Sequence, residues 1–363
     1  MLNKTKLLYL ASYNKETDTG VHFKIEGFVR AVKAHGYEAI NPQDTQKLLK
    51  KSTVISTLVN TNAKHIVIRS LGVTNLILLP FIIIARIQGK KLYLDIPTPR
   101  KAAYYEVMKK RKGYKKITYF ILHYLSGPWT MWPYNKVIQY GDESAYFLFW
   151  NSKKTIYLGN SIDVNRMALR NKNYVWPDKY LKLIGVGNIS DYHGYDRIIK
   201  AVYQWNLSPN IKYKVTFTII GEGDYLGVLK DLVADLNLEK FVRFDGQRNS
   251  DYILKVYSES HLAVSSLGLF RINLKTSGVL KAREYCLAGI PFIASGVDVD
   301  FPNDLPFRMN VTNDESIDDV LHVFEKFDRV VNTFSDEMIR DYALSNLSFD
   351  AQFKKIGILS NAM

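Results

Sequence analysis

The stretch that decides the fold is LKLIGVGNISDYHGYDRII, residues 181–199, in which an apolar run passes through small and polar residues into a helical pattern. Residues 181–186 have the composition of a buried strand, and a helix is expected to begin at Tyr195. The turn between them, residues 187–194, would present backbone N–H groups at the positive end of the helix dipole, where anions bind. An ordinary strand-to-helix turn is the alternative interpretation. In both cases the stretch predicts one unit of a parallel α/β sheet.

The same alternation of strands and helices extends along the chain. In the first half, strands are expected at 6–12, 65–69, 91–96, 136–139 and 154–158, with helices at 21–35 and 76–87. In the second half, strands are expected at 180–186, 214–220, 241–245, 261–265 and 291–295, with helices at 195–205, 225–236, 251–258 and 279–288. This alternation predicts parallel sheets covered on both faces. We therefore expect an α/β protein with two Rossmann-like domains facing a cleft and a linker within residues 159–178.

Length and composition exclude several classes of protein. The 363 residues suit two domains of about 150–200 residues each, and a composition of 47% hydrophobic and 23% charged residues excludes a disordered chain, a collagen and a coiled coil. The single cysteine, Cys286, excludes a disulfide framework and fits a reducing cytoplasm. The longest apolar stretch, residues 76–87, has 12 residues, whereas a bilayer span needs about 20. We expect neither a signal peptide nor a transmembrane helix.

Positive charge is concentrated in the first half of the chain. Residues 1–170 carry a net charge of +17 and residues 171–363 one of −3, within a total of +14. Residues 100–116 hold eight Lys or Arg and a single Glu106, and the residues up to 134 are rich in aromatic side chains. Cations beside aromatic rings suit an anionic membrane surface at 100–134. A charged helix face beside a core helix is the alternative, and a nucleic-acid partner is not expected because no recognition motif is present.

A second segment, residues 276–295, has the composition of a nucleotide site. Thr276 or Ser277 can cap a helix whose first N–H groups, at residues 278–280, face the preceding loop. Lys281 and Glu284 share one face of that helix at a spacing of three residues. The N–H groups and Lys281 can bind a diphosphate, while a carboxylate can accept hydrogen bonds from paired ribose hydroxyls.

Five motifs follow one another along the second half of the chain: Gly187-Asn-Ile-Ser, His193-Gly-Tyr-Asp-Arg, Gly221-Glu-Gly, Ser265-Ser-Leu-Gly and Leu280-Lys-Ala-Arg-Glu-Tyr-Cys-Leu-Ala-Gly-Ile-Pro. In this order and spacing they resemble the motifs of family-4-type retaining glycosyltransferases with the GT-B fold. The resemblance covers residues 180–300 well and the first half in outline. It implies an acceptor domain at 1–165, a donor domain at 166–345 and a terminal helix, 346–363, that returns to the first domain. The implied activity is transfer of a hexose from a nucleotide sugar, such as a UDP- or GDP-sugar, in cell-surface polysaccharide synthesis, without a metal or other cofactor.

The resemblance also assigns roles to individual residues. Glu284 would hold the ribose, and Lys281 with Arg271 would stabilise the leaving diphosphate as catalytic residues. The remaining donor-binding candidates are Gly20, Gly187, Asn188, Ser190, His193, Gly194, Gly246, Gln247, Ser277, Gly278, Val279 and Leu280. Asp95 or Thr98, at the tip of a strand that normally faces the acceptor, would contact the sugar hydroxyls of the acceptor. For Gly20, a plain flexible turn is the alternative.

The sequence departs from the family pattern at three positions. Thr276 stands where the family has a first glutamate, and Asn188 or Ser190 and His193 replace an Arg and a Lys of the phosphate turn. These departures suggest a second hypothesis, a nucleotide- or sugar-binding partner subunit that has lost catalysis. Asp298 and Asp300 are expected to be solvated loop carboxylates, and Cys286 a buried packing residue. The expected location is the cytoplasm, at the inner face of the membrane.

Overall fold

The computed structural model describes residues 6–16, 18–42, 51–70, 72–96, 104, 107–108, 111–140 and 154–358. The chain divides into two compact units. Unit 1 comprises Met1–Ser161 with Phe349–Met363, and unit 2 comprises Ile162–Ser348.

Unit 1 contains a six-stranded parallel sheet in the order β2-β1-β3-β4-β5-β6. The strands are β1 (Lys6–Ala11), β2 (Glu38–Ile40), β3 (His65–Arg69), β4 (Lys91–Ile96), β5 (Lys136–Gln139) and β6 (Thr155–Tyr157). Its first described helices are α1 (Thr19–Ala34), α2 (Lys51–Asn60), α3 (Gly72–Ile87) and α4 (Tyr114–Leu125). Five of the six residues of β1 are buried, as expected for a strand covered by helices on both faces.

Unit 2 repeats this architecture with strand order β12-β11-β10-β7-β8-β9, again all parallel. The strands are β7 (Tyr180–Val186), β8 (Lys214–Ile220), β9 (Val242–Gly246), β10 (Leu262–Val264), β11 (Phe292–Ser295) and β12 (Arg308–Val311). The helices are α5 (Tyr195–Leu207), α6 (Leu226–Asp235), α7 (Ser250–Glu259), α8 (Leu280–Ala288), α9 (Asp318–Val330) and α10 (Asp336–Asn346). The last helix, α11 (Phe349–Ile356), belongs to unit 1, where it packs against α1.

The expected fold class, two Rossmann-like units with parallel sheets, is confirmed. Five strands, β3, β4, β5, β7 and β8, begin and end at the expected residues, and the other expected strands agree to within one residue at each end. Helix α1 begins at Thr19, so Gly20 lies inside its first turn and not in a loop before it; that expectation was wrong. Strands β2 and β12 were not expected, since runs of three and four residues are too short to give a periodic signal.

The expectation of solvated carboxylates at Asp298 and Asp300 was also wrong. Their side chains are 8% and 2% exposed, and both pair with Arg283, which is fully buried on α8. Arg283 Nη2 donates hydrogen bonds to Asp298 at 2.7 Å and to Asp300 at 2.9 Å. Among the residues that the structure describes, no group of three or more His, Cys, Asp or Glu is arranged to hold a metal ion. Cys286, on the same helix, is buried as expected.

The turns that follow β7 and β8 are locked together at the carboxyl edge of the unit 2 sheet. The N–H of Ile189 donates a hydrogen bond to the carbonyl of Glu222 at 2.7 Å. Gly221 and Gly223 have φ angles of +135° and +158°, and a Cβ on them would lie 1.9 Å from the carbonyl oxygen of Gly187 and 2.1 Å from that of Ile189. The two glycines are therefore required by the close approach of the turns.

We expect Gly221→Ala to lower the free energy of unfolding by about 2–4 kcal/mol, because it adds both backbone strain and a clash with a carbonyl. The matched control is Gly227→Ala on α6, where an added Cβ meets nothing within 4 Å. In a helix that change stabilises by up to about 1 kcal/mol. Urea denaturation followed by circular dichroism measures both variants. Equal stability of the two would contradict the locked-turn account.

Candidate functional site

The carboxyl ends of parallel strands meet at one edge of a sheet, and in unit 2 this edge gathers most of the expected donor-site residues. The turn after β7 holds Gly187 to Gly194, and β9 ends at Gly246. The N–H of Gly187 donates to the carbonyl of Ile220 at 3.0 Å, which ties the turn to the end of β8. Sheet register and backbone hydrogen bonds therefore fix the position of this turn.

Lys281, in the first turn of α8, reaches the same turn from the other side. Its side chain is buried, and its Nζ donates a hydrogen bond to the hydroxyl of Tyr195 at 3.1 Å, with the Tyr195 ring centroid 4.9 Å away. A Cβ on Gly187 would lie 3.6 Å from that Nζ. Burial lowers the pKa of Lys281 to about 7, against a smaller opposing effect of Glu284. The Lys281 side chain thus lies beside the turn after β7, and its pKa is close to neutral pH.

His193 supplies a neutral hydrogen-bond donor beside Lys281. Its Nδ1 accepts a hydrogen bond from the N–H of Ser190 at 3.2 Å, so the ring proton belongs on Nε2. Burial, and secondly the charge of Lys281, lower the pKa of His193 to about 2. The imidazole therefore stays uncharged at physiological pH. Gly194, with φ of +64°, follows it and forms the N-cap of α5.

Glu284 lies one turn after Lys281 on α8. Its side chain is 19% exposed, and its Oε1 lies 3.4 Å from Arg166 Nη2. Burial raises the pKa of Glu284, and the charges of Arg166 and Lys281 oppose that rise. The carboxylate is thus accessible to a ligand while a cation compensates its charge.

The N-terminus of α8 differs from the expectation. The N-cap is Val279, whose hydrocarbon side chain cannot cap, so the expected caps Thr276 and Ser277 were wrong. The N–H of Ser277 donates to the carbonyl of Val297 at 3.0 Å, because residues 276 and 297 form a parallel bridge. Leu280, the first helical residue, is 40% exposed. Gly278 is buried beside it.

Three further candidates lie at or near this edge. Asn188 and Gln247 are exposed, and Gly246 has a φ of +65° that favours glycine. The carbonyl of Gly246 accepts a hydrogen bond from the N–H of Gly221 at 2.9 Å. Asn188 and Gln247 are therefore accessible side chains on a backbone that is itself fixed.

The guanidinium of Arg271, which was expected to be catalytic, is hydrogen-bonded entirely to groups of the protein. It forms a two-pronged pair with Asp196, at 2.8 Å for each hydrogen bond, and a second with Glu315, at 3.0 and 2.7 Å. A fifth hydrogen bond goes to the carbonyl of Asp191 at 2.8 Å. All five N–H groups of the guanidinium are used, and two carboxylates neutralise its charge. Arg271 thus joins the loop after β10 to the turn after β7, to α5 and to Glu315.

The site candidates of unit 1 differ in their exposure to solvent. Gly20 is exposed on α1, whereas Asp95 is 1% exposed. Because β3 and β4 pair Arg69 with Asp95, the Arg69 guanidinium bonds the Asp95 carboxylate at 2.6 Å, and Tyr9 donates to the same oxygen. Arg69 and this hydrogen bond lower the pKa of Asp95 although burial opposes them. Asp95 is thus an internal ion-pair residue, and Thr98 lies outside the described residues.

Much of the basic segment 100–116 also lies outside the described residues; Arg111, Lys112, Lys115 and Lys116 are described and exposed. Within the part of the chain that the structure describes, no helix is long and apolar enough to cross a membrane.

Sequence reasoning missed the residues that hold Lys281 in place. Tyr195 also donates to the carbonyl of Val186 at 3.3 Å, and the hydroxyl of Tyr285 accepts from the N–H of Val186 at 3.3 Å. A buried tyrosine beside a lysine leaves no pattern in the sequence. Arg166, which pairs with Glu284, is distant from it in the chain, so this pair could not be predicted from the sequence either.

Residues 169–299 match the family model described as "Glycosyl transferases group 1". This segment holds the turn after β7 and all of α8. No protein among those with curated descriptions matches the sequence.

Solved structures of similar fold cover almost the whole chain. A UDP complex of HepE from Anabaena has a TM-score of 0.62 and 13% identity, and covers 99% of this chain and 100% of that one. A glycosyltransferase from Rickettsia africae has a TM-score of 0.64 and 13% identity, with the same coverage. The lipopolysaccharide outer core galactosyltransferase WaaB has a TM-score of 0.62 and 11% identity, again over 99% and 100%. The shared fold and the matching segment support a glycosyltransferase with two Rossmann-like domains.

Proposed function

We propose that the protein is a retaining glycosyltransferase of the family-4 type, which moves a sugar from a nucleotide-sugar donor to a glycan or lipid-linked acceptor. The observation that carries the proposal is the convergence of Lys281, the neutral His193 and Glu284 on one edge of the unit 2 sheet. The UDP complex of HepE, a protein of similar fold, favours a uridine or related nucleotide as the donor base.

Each group has a distinct part in holding the donor. Lys281 pairs with the diphosphate, and the Nε2–H of His193 donates a neutral hydrogen bond to it. The accessible carboxylate of Glu284 accepts hydrogen bonds from the ribose hydroxyls. The helix dipoles of α5 and α8 add positive potential at their N-termini. Arg271 acts as a positioning residue, since its N–H groups are all bonded within the protein.

The reaction breaks the bond between the anomeric carbon and the phosphate oxygen and forms one to the acceptor oxygen on the same face. The acceptor proton passes to the leaving phosphate, so no separate base is needed. Negative charge grows on the diphosphate as the bond breaks, and we assign its stabilisation to Lys281. We place this reaction in cell-surface polysaccharide synthesis, in the cytoplasm at the inner face of the membrane.

Glu284→Ala should weaken UDP binding by roughly 1–3 kcal/mol, the cost of losing hydrogen bonds to a charged group. Glu239→Ala, an exposed glutamate before β9, is the matched control and should bind like the unaltered protein. Isothermal titration calorimetry measures both. Unchanged affinity in a folded Glu284→Ala variant would remove this residue from the site.

UDP binding should take up protons at pH 8. Since the pKa of Lys281 is lowered to about 7, the free side chain is mostly neutral there, and a bound diphosphate raises its pKa again. Affinity should therefore fall as pH rises above 7, by at most about tenfold per pH unit. Calorimetry in buffers of different ionisation enthalpy counts the protons.

Lys281→Met should abolish the proton uptake, and Lys230→Met, an exposed lysine on α6, should preserve it. Constant affinity from pH 7 to 9 without proton uptake would contradict the role of Lys281. UDP binding without hydrolysis or transfer of any UDP-sugar would instead favour a nucleotide-binding partner subunit that has lost catalysis.

A further inference from the structure

Helix α4 of unit 1 buries none of its twelve residues. A helix on the surface of a globular protein normally covers the core with an apolar stripe. In α4 the stripe exists but faces outward: Ile117, Phe120, Ile121, Tyr124 and Leu125 are between 50% and 79% exposed. Their spacing places them along one side of the helix. Tyr104 lies beside Phe120, with ring centroids 6.5 Å apart, but at least half of each of the five side chains stays exposed. An exposed apolar stripe of this size marks an interaction surface.

Two tryptophans extend this surface beyond the end of α4. Trp129 and Trp132 are 54% and 70% exposed, and Trp129 Nε1 donates a hydrogen bond to the carbonyl of Leu125 at 2.9 Å. We call these two residues and the five apolar residues of α4 the α4 face. Tryptophan and tyrosine, whose aromatic rings carry one polar group, are enriched at membrane–water interfaces.

The charge beside the α4 face identifies its partner. Arg111, Lys112, Lys115 and Lys116 are exposed at the N-terminal end of α4, and residues 111–134 contain no Asp or Glu. Arg111 lies over the ring of Tyr119 on α4, 4.7 Å from its centroid. Lys115 and Lys116, in the first turn, oppose the helix dipole, so the dipole gives no reason for their presence there. A second copy of the chain would bring eight such cations together, whereas anionic lipid neutralises them.

We propose that the α4 face is a membrane-docking surface, which lies flat on a bilayer with its apolar side chains among the acyl chains and its cations on anionic headgroups. The twelve residues of α4 span about 18 Å, too short to cross the bilayer but enough to lie in its interface. The inference deepens the proposed function, on which its link to a lipid-linked acceptor rests. Docking itself involves unit 1 alone.

Co-sedimentation of the full-length protein with vesicles tests the proposal. Vesicles of phosphatidylcholine with phosphatidylglycerol should bind the protein at low salt and release it at about 1 M salt, where charges are screened beyond about 3 Å. Pure phosphatidylcholine vesicles should bind it poorly. Lys115→Gln with Lys116→Gln should weaken binding at least tenfold, since each lysine near such a surface contributes about fivefold.

Phe120→Glu with Tyr124→Glu should abolish binding, because the apolar stripe can no longer enter the bilayer. Leu207→Glu, at a residue 66% exposed in unit 2, and Lys230→Gln with Lys255→Gln are the matched controls and should bind normally.

Circular dichroism and UDP binding of each variant separate loss of docking from loss of fold or of donor binding. No binding of the unaltered protein to anionic vesicles overturns the proposal, as does an equal loss in the controls. If the protein does not bind vesicles but forms a dimer in solution, and Phe120→Glu dissociates that dimer, the α4 face would instead bind a second copy of the chain.

Discussion

The close contact between the turns after β7 and β8 is the constraint on which the candidate site depends. The hydrogen bond from Ile189 to Glu222, and the lack of side chains at Gly221 and Gly223, let the two turns share one edge of the sheet. This contact fixes the backbone from Gly187 onward, and with it His193 and the start of α5. A ligand at this edge therefore meets groups that are already in place, which lowers the entropy cost of binding.

The electrostatics of the site follow from burial more than from the number of charges. One lysine lies beside the phosphate turn, with its pKa lowered to about 7, and the neighbouring imidazole stays neutral. Arg271, the other cation expected there, is neutralised by Asp196 and Glu315. A diphosphate would thus supply the countercharge that the buried Lys281 lacks. Under the proposed function, the diphosphate would meet one buried lysine and a neutral imidazole where the family pattern has an Arg and a Lys.

The sequence predicts the sheet architecture well because long buried strands and glycine turns are local patterns, as in β7 and β8. Helix α9 also has a local pattern, since its buried residues Val320, Val323, Phe324 and Phe327 follow helical spacing. Tertiary partners are not predictable in this way. The pairing of Arg283 with Asp298 and Asp300, of Asp95 with Arg69, and of Lys281 with Tyr195 joins residues on different elements. For the same reason the sequence could not show whether a charged side chain was solvated, paired internally or available to a ligand.

Hydrogen exchange with and without saturating UDP tests the central claim most directly, namely that the carboxyl edge of the unit 2 sheet binds a nucleoside diphosphate. Binding at this edge orders the backbone that contacts the phosphates and ribose, so exchange should slow there. The account predicts protection in residues 187–195 and 278–284, and none in α4 or α9. Protection absent from both segments at saturating UDP and GDP, or confined to another part of the protein, would contradict it.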